Sequence, residues 1–151
     1  MSFLDFLILI PEMFLINFTI ILLWAGVYGR YKVNNNGQQL YLSFNLYSNF
    51  LILLSVFLLL NSSFDVATCL LNTYIIDNYT TGLKIFTLLA SFFLLMSTMS
   101  SERPLSLSFT DIEINTLRLL VISSLLLLIG FNDFIYLFFA LEVYSLASYI
   151  L

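Results

Sequence analysis

The residue with the clearest chemical potential is Glu142, which lies inside an otherwise uncharged apolar segment, residues 134–151. At about 1.5 Å of helical rise per residue, Glu142 stands roughly 14 Å from Asp133 along a helix. A bilayer's hydrocarbon core is about 30 Å thick, so a spanning helix would carry this carboxylate near the middle. A carboxylate at that depth is costly and usually serves a proton, a cation or a partner charge. Glu142 therefore predicts ion movement across a membrane.

Two hydroxyl residues share the predicted helix face of Glu142. Ser145 and Tyr149 follow it at i+3 and i+7, a spacing that places side chains on one face. Their hydroxyls could bind the carboxyl group or hold water beside it. We interpret Glu142 as a protonatable relay residue; the alternative is a permanently neutral glutamate that is hydrogen-bonded between helices.

Glu12 is a second carboxylate within a predicted span, and it directly follows Pro11. The proline ring can free a backbone carbonyl and kink the helix, so Glu12 has either a supporting functional role or a role in helix packing. Lys32 and Lys84 are expected at the edges of spans. A buried lysine that pairs with Glu142 would therefore come from another chain.

The predicted fourth helix carries a further group of charges. Asp111, Asn115 and Arg118 fall on one face, while Glu113 lies on another face near the membrane entrance. This arrangement could form the mouth of a proton path, with Glu113 and Arg118 as supporting residues. The alternative is that these charges are interfacial anchors that extend towards the headgroups.

The composition indicates an integral membrane protein. Of 151 residues, 61% are hydrophobic and 9% are charged, against about 25% charged in soluble domains. The net charge of −4 is scattered and no basic patch indicates nucleic acid. With no histidine and one cysteine, a zinc, haem or iron–sulfur site on this chain is not expected. The N-terminus lacks the basic region of a secretory signal.

Five continuously apolar stretches predict an all-α, polytopic transmembrane bundle that forms a single membrane domain over residues 1–151. The predicted spans are approximately residues 3–28, 42–60, 83–99, 112–129 and 134–151. The polar segment 61–82 is expected to hold a short interfacial helix. A tight turn at residues 130–133, with Asp133 as a cap, predicts that the fourth and fifth spans pack as neighbours.

The basic residues predict an orientation. Arg30, Lys32 and Arg103 fall in the first and third loops, and Arg118 follows near the third, whereas the second loop has only Lys84. By the positive-inside rule, the first and third loops face the negatively charged compartment. The N-terminus is therefore expected on the opposite side.

Three stretches carry a resemblance to a known family. The run Pro11-Glu12-Met13-Phe14-Leu15, residues 113–124 and above all residues 133–149 resemble the subunit 2 family of mitochondrial NADH dehydrogenase. These are antiporter-like membrane-arm subunits of respiratory complex I. Where the family usually has Glu-Leu-Gln-Ser-Leu, this chain has Val143 and Tyr144 after Glu142, so any role of that glutamine does not carry over.

The resemblance implies a fold and a mechanism. The chain would be part of a larger antiporter-like fold in the mitochondrial inner membrane, with its N-terminus on the intermembrane-space side. Glu142 would pair with a lysine on a later helix and couple NADH:ubiquinone oxidoreduction to proton pumping. FMN, iron–sulfur clusters and ubiquinone would be bound elsewhere in the complex, with no cofactor on this chain.

The resemblance also implies partners. Other membrane-arm subunits and the lipid bilayer would surround the chain, and no nucleic acid is expected. Because a full-length family member has more than twice as many spans, the sequence would be the N-terminal part of a split subunit or a fragment. A separate chain would then carry the remaining helices and the buried lysines.

Three other interpretations stay open at this point. The chain could be a subunit of a cation/proton antiporter, or a purely structural accessory subunit of the membrane arm in which Glu142 only packs. It could also be a plasma-membrane protein, which glycosylation at Asn61 or Asn78 would support, since both begin an acceptor pattern.

Overall fold

The computed structural model describes residues 3–32, 37–61, 66–69, 73–101 and 110–151. The predicted all-α membrane bundle is confirmed, with one small addition, a two-stranded sheet. In chain order the elements are α1 (Phe3–Lys32), α2 (Gly37–Asn61), β1 (Val66–Cys69), β2 (Tyr74–Asp77), α3 (Asn78–Ser101), α4 (Thr110–Gly130) and α5 (Phe134–Ile150).

Four helices are long and apolar enough to cross a membrane. Their candidate spans are Leu9–Gly26, Ser43–Asn61, Asn78–Ser97 and Glu113–Gly130. The fifth helix, α5, has 17 residues and a length of about 25 Å, at the lower limit for crossing. It corresponds to the predicted fifth span and is the shortest of the five helices in the described part of the chain.

Leucine and isoleucine side chains form a core shared by α1 to α4. Leu15, Ile52, Leu88, Leu119 and Leu126 each expose at most 1% of their surface. The helix α1 packs on α2 and α4, and α2 and α4 both contact α3. The helix α5 packs on the outside of this group against α4, which confirms that the helices on either side of the residue 130–133 turn are neighbours.

The segment between α2 and α3 forms an antiparallel β-hairpin, so the prediction of an interfacial helix there is wrong. Val66 pairs with Asp77, and Cys69 pairs with Tyr74. In β2 the side chains of Tyr74 and Ile76 are buried, and those of Ile75 and Asp77 are half-buried. This two-residue alternation of aromatic and β-branched residues suits a strand rather than a helix.

The hairpin is attached to the turn between α4 and α5. The Asn132 N–H donates to the Thr73 carbonyl over 2.8 Å, and Tyr74 forms an isolated antiparallel bridge with Phe131. The rings of Tyr74 and Phe131 meet edge to face, with centroids 5.4 Å apart. The hairpin therefore covers the end of the bundle at which α4 ends and α5 begins.

The third helix begins at Asn78, directly after β2 and earlier than the predicted span at residue 83. The Thr80 hydroxyl accepts from the Asp77 N–H over 2.7 Å and donates to the Asp77 carbonyl over 2.9 Å. A side chain at the third helical position that binds the backbone N–H before the helix is part of a capping box. The early start places Lys84 inside the helix.

The outer surface of the bundle is lined with large apolar side chains. Trp24, Phe86 and Phe138 expose 72%, 70% and 59% of their surface, respectively. Contiguous apolar surface of this kind is unfavourable in water and favourable against lipid or another membrane protein. The surface therefore agrees with the membrane class predicted from composition.

Candidate functional site

Glu142 lies on the exposed face of α5. The Ser145 hydroxyl donates to the backbone carbonyl of Glu142 over 2.9 Å, and Tyr149 is 86% exposed. Neither hydroxyl binds the Glu142 carboxylate, which has no hydrogen-bond or ion-pair partner among the described residues. The proton-relay role of Glu142 stays a prediction.

Glu12 forms a buried ion pair that joins α1 to α3. The ammonium Nζ of Lys84 lies 2.7 Å from Glu12 Oε1, and the two side chains are 0% and 1% exposed. The expectation that Lys84 lies at the edge of a span is wrong. Because the capped start of α3 precedes Lys84 by six residues, the side chain reaches the bundle interior.

Tyr74 closes this ion pair into a triangle. Its hydroxyl donates to Glu12 Oε1 over 2.7 Å and accepts from Lys84 Nζ over 2.6 Å. Tyr74 is itself 0% exposed. We refer to these three side chains as the Glu12–Lys84–Tyr74 triad.

The three members of the triad come from three different elements. Pro11 is buried beside Glu12 in α1, and because it has no N–H it cannot donate the usual helical hydrogen bond to the carbonyl four residues earlier. Tyr74 arrives on β2, whose position is fixed by the Asn132 to Thr73 hydrogen bond. The site therefore depends on tertiary packing of segments more than 60 residues apart.

The triad lies near one end of the bundle. Glu12 is three residues after the start of the candidate span Leu9–Gly26, or about 5 Å along the helix axis. Lys84 is six residues after Asn78, where the third candidate span begins, or about 9 Å. The hairpin that carries Tyr74 covers this same end, so the Glu12–Lys84 ion pair lies between the hairpin and the apolar core.

One oxygen of the triad, Glu12 Oε2, is buried and makes no hydrogen bond to any residue that the structure describes. An unsatisfied buried acceptor costs about 1–3 kcal/mol, and more when it is charged. Burying two charges is favourable only when further hydrogen bonds satisfy their remaining atoms. Among the described residues, Glu12 meets that condition on Oε1 and not on Oε2.

No protein-family model matches this chain. A curated relative, NADH-ubiquinone oxidoreductase chain 2 of Marchantia polymorpha, is 33% identical over 148 residues, which cover 97% of this chain. This chain is similar to NADH-ubiquinone oxidoreductase chain 2. The predicted resemblance is thereby confirmed.

The match covers nearly all of this chain but only part of the relative. The chain spans 30% of the length of NADH-ubiquinone oxidoreductase chain 2. Because 97% of this chain is matched, the matched region contains the triad and Glu142. Both charged sites of this segment, the triad and Glu142, therefore lie in the region that aligns with NADH-ubiquinone oxidoreductase chain 2.

The remaining predicted residues are separated by the fold. Glu113 is exposed on α4, whereas Arg118 is half-buried and lines a groove of about 500 Å³ between α3 and α4. Asn115 is buried, and its amide donates to the Ser48 hydroxyl of α2 over 3.2 Å. The predicted common face of Asn115 and Arg118 is therefore divided between two neighbouring helices; the Asp111 side chain lies outside the described residues.

Sequence reasoning missed Lys84 and Tyr74 as members of a site. Lys84 is the only Lys or Arg in a predicted apolar stretch of 17 residues, 83–99, and that isolation was the available signal. Tyr74 carried no such signal, because it is one of nine tyrosines in the chain and lies in a polar connection between spans.

Among the described residues, no group of three or more His, Cys, Asp or Glu could hold a metal ion.

Proposed function

We propose that this chain is a membrane-arm segment of a proton-translocating NADH:ubiquinone oxidoreductase in the mitochondrial inner membrane. The similarity to NADH-ubiquinone oxidoreductase chain 2 over 97% of the chain supports membership of that complex. The four candidate spans support a place within the bilayer. Electron transfer would take place on other subunits, and this segment would contribute to coupling.

The single observation that carries the coupling role is the position of Glu142. It lies eight residues after the start of α5, about 12 Å along the helix, and it faces away from its own bundle. Its neighbours Leu141 and Val143 are exposed apolar residues. A carboxylate on an apolar, outward-facing helix surface is costly in lipid unless a partner charge or water meets it.

We infer that the partner of Glu142 is a base outside the described residues, a lysine on another chain or on another segment of the same subunit. The two charges would attract each other strongly in a medium of low dielectric. A change in the position or charge of the lysine would then alter the pairing of Glu142. That dependence is what a relay residue needs for coupling. By the positive-inside argument, the N-terminus would face the intermembrane space.

The experiment that tests this function is the substitution Glu142→Gln in the assembled complex in its native membranes. Glutamine keeps the size of the side chain and removes the exchangeable carboxyl proton. We expect the complex to assemble in normal amounts, while the number of protons translocated per NADH oxidised falls. The two measurements are native gel electrophoresis and NADH-driven proton uptake by sealed vesicles.

The matched control is Asp133→Asn, which makes the same carboxylate-to-amide change at the N-cap of α5. The Asp133 side chain makes no capping hydrogen bond, so we expect unchanged proton translocation. Normal translocation in the Glu142→Gln variant would contradict the relay role and would favour a purely structural accessory subunit. Transport that requires sodium or potassium without NADH oxidation would instead favour a cation/proton antiporter.

A further inference from the structure

The Glu12–Lys84–Tyr74 triad is a second charged site, separate from Glu142, and the mechanism above does not use it. Both charged side chains are at least 99% buried. A buried ion pair stabilises helix packing poorly, because its desolvation is unfavourable and well-packed apolar residues of similar volume are often equally or more stabilising. Its presence at the covered end of the bundle therefore calls for a role beyond stability.

We propose that the triad is a proton-exchange site, with Glu12 and Lys84 as the groups that gain and lose the proton and Tyr74 as the bridge between them. This inference rests on the proposed proton-translocating function. Three observations carry it. They are the triangle of contacts of 2.6–2.7 Å, the unpartnered buried oxygen Glu12 Oε2, and the place of the triad beneath the hairpin.

Glu12 Oε2 is the atom of the triad at which an incoming proton can bind. Glu12 Oε1 already accepts from Lys84 Nζ and from the Tyr74 hydroxyl, whereas Oε2 has no donor among the described residues. Glu12 lies only about one helical turn from the start of its candidate span. A proton from water at this end of the bundle therefore binds to Oε2.

The exchange balances in three steps. A proton that binds to Oε2 converts the Glu12 carboxylate to a carboxylic acid and leaves the Lys84 ammonium without a counter-ion. Lys84 then releases one proton from Nζ to a water molecule and becomes a neutral amine. The carboxylic acid finally returns its proton to Nζ, which restores the ion pair. One proton enters, one leaves, and no electrons are transferred.

Tyr74 makes the last step possible without large movement. Its hydroxyl lies within hydrogen-bond distance of both Glu12 Oε1 and Lys84 Nζ. When the carboxyl group turns about its Cγ–Cδ bond, the protonated oxygen comes to face the Tyr74 hydroxyl, which can accept that proton while giving its own proton to Nζ. The transfer runs through the hydroxyl, and its net result is one proton moved from Glu12 to Lys84. Tyr74 is a positioning and bridging residue, and the charge difference is carried by Glu12 and Lys84.

The decisive variant replaces both charges at once, Glu12→Gln with Lys84→Met, in the assembled complex in its native membranes. Removal of one charge alone leaves the other buried and unpaired, which is strongly destabilising, whereas removal of both is often tolerated. We therefore expect assembly and NADH oxidation to persist, and the protons translocated per NADH to fall. A double variant that assembles and translocates protons normally would overturn the inference and identify the triad as a structural lock.

A second variant keeps the test decisive if the double variant fails to assemble. Tyr74→Phe keeps the ring that packs on Phe131 and removes only the bridging hydroxyl. We expect normal assembly with slower NADH-driven proton uptake, and unchanged uptake would overturn the inference. The Glu142→Gln variant, measured in parallel, separates the two proposals. If it lowers translocation while the triad variants do not, only the exchange site falls; if none does, the proposed function falls with it.

Discussion

The ring of Tyr74 occupies the space in which a side chain at Gly130 would have to lie. A Cβ atom built on Gly130 would come within 2.6 Å of the Tyr74 hydroxyl oxygen and even closer to two carbons of the ring. The absence of a side chain at the last residue of α4 therefore allows the hairpin to seat fully. Only then does the Tyr74 hydroxyl reach Glu12 and Lys84.

The first prediction is that Gly130→Ala displaces Tyr74 and destabilises the protein. Overpacking of a filled interior costs about 1–3 kcal/mol, so the thermal unfolding temperature in detergent should fall. The matched control is Gly82→Ala in the first turns of α3, where a new Cβ has no atom within 4 Å. Alanine there should stabilise the helix by up to about 1 kcal/mol. Equal effects at both sites would contradict the close packing of Tyr74 on Gly130.

The second prediction concerns the Tyr74 hydroxyl. Tyr74→Phe removes a group bonded to two charged atoms, and hydrogen bonds to charged groups contribute about 1.5–3 kcal/mol. We expect a loss of that size in the free energy of unfolding. Tyr79→Phe is the control, because Tyr79 is 76% exposed and surface changes are usually within about 0.5 kcal/mol. A loss no larger than in the control would show that the hydroxyl contacts contribute nothing to stability.

The third prediction is that the charges of Glu12 and Lys84 are energetically coupled. Lys84→Met should cost about 3–5 kcal/mol, because it leaves the Glu12 carboxylate buried without its partner. Addition of Glu12→Gln to that variant should recover much of the loss. A double-mutant cycle on unfolding or on the yield of folded protein measures the coupling. Additive effects of the two substitutions would be inconsistent with a direct ion pair.

The fourth prediction concerns the polar contact between α2 and α4. The Asn115 amide donates to the Ser48 hydroxyl over 3.2 Å in the buried interior. Such contacts between membrane helices contribute about 0.6 kcal/mol on average in double-mutant cycles, so Ser48→Ala and Asn115→Ala should show a coupling of that order. Asn115→Ala combined with Thr81→Ala is the control, because the Thr81 hydroxyl binds backbone carbonyls at the start of α3. Coupling of similar size in both cycles would rule out a specific contact.

The hairpin connects the triad to the helix that carries Glu142. Phe131 pairs with Tyr74 on one side, and its ring stacks on Tyr136 of α5 at a centroid distance of 5.4 Å. Packed side chains of this kind can carry energetic coupling between sites when the elements have two arrangements. The contacts place the two charged sites of this segment on one continuous packed structure.

The sequence by itself determined the class of the protein and most of its helices. An apolar fraction of 61% with few charges leaves helices in a membrane as the consistent arrangement, because long apolar runs must satisfy their own backbone hydrogen bonds there. The burial of Glu12 within the first span was also predictable, since Glu12 is nine residues into the predicted span 3–28, about 14 Å along a helix, and a short side chain at that depth does not reach the bilayer surface. The resemblance at residues 133–149 was readable from the residues alone.

The tertiary structure alone decided which charges meet. Local sequence gave Lys84 the appearance of a residue at the edge of a span, because the apolar run begins only at residue 83, whereas α3 begins at Asn78. The hairpin before α3 is held in place by contacts of Thr73 and Tyr74 with the distant residues Asn132 and Phe131. Glu12 and Lys84 are 72 residues apart, and no local pattern specifies that contact. The direction in which Glu142 faces was likewise fixed by packing, because the side of α5 that contacts α4 depends on which apolar surface buries the larger area.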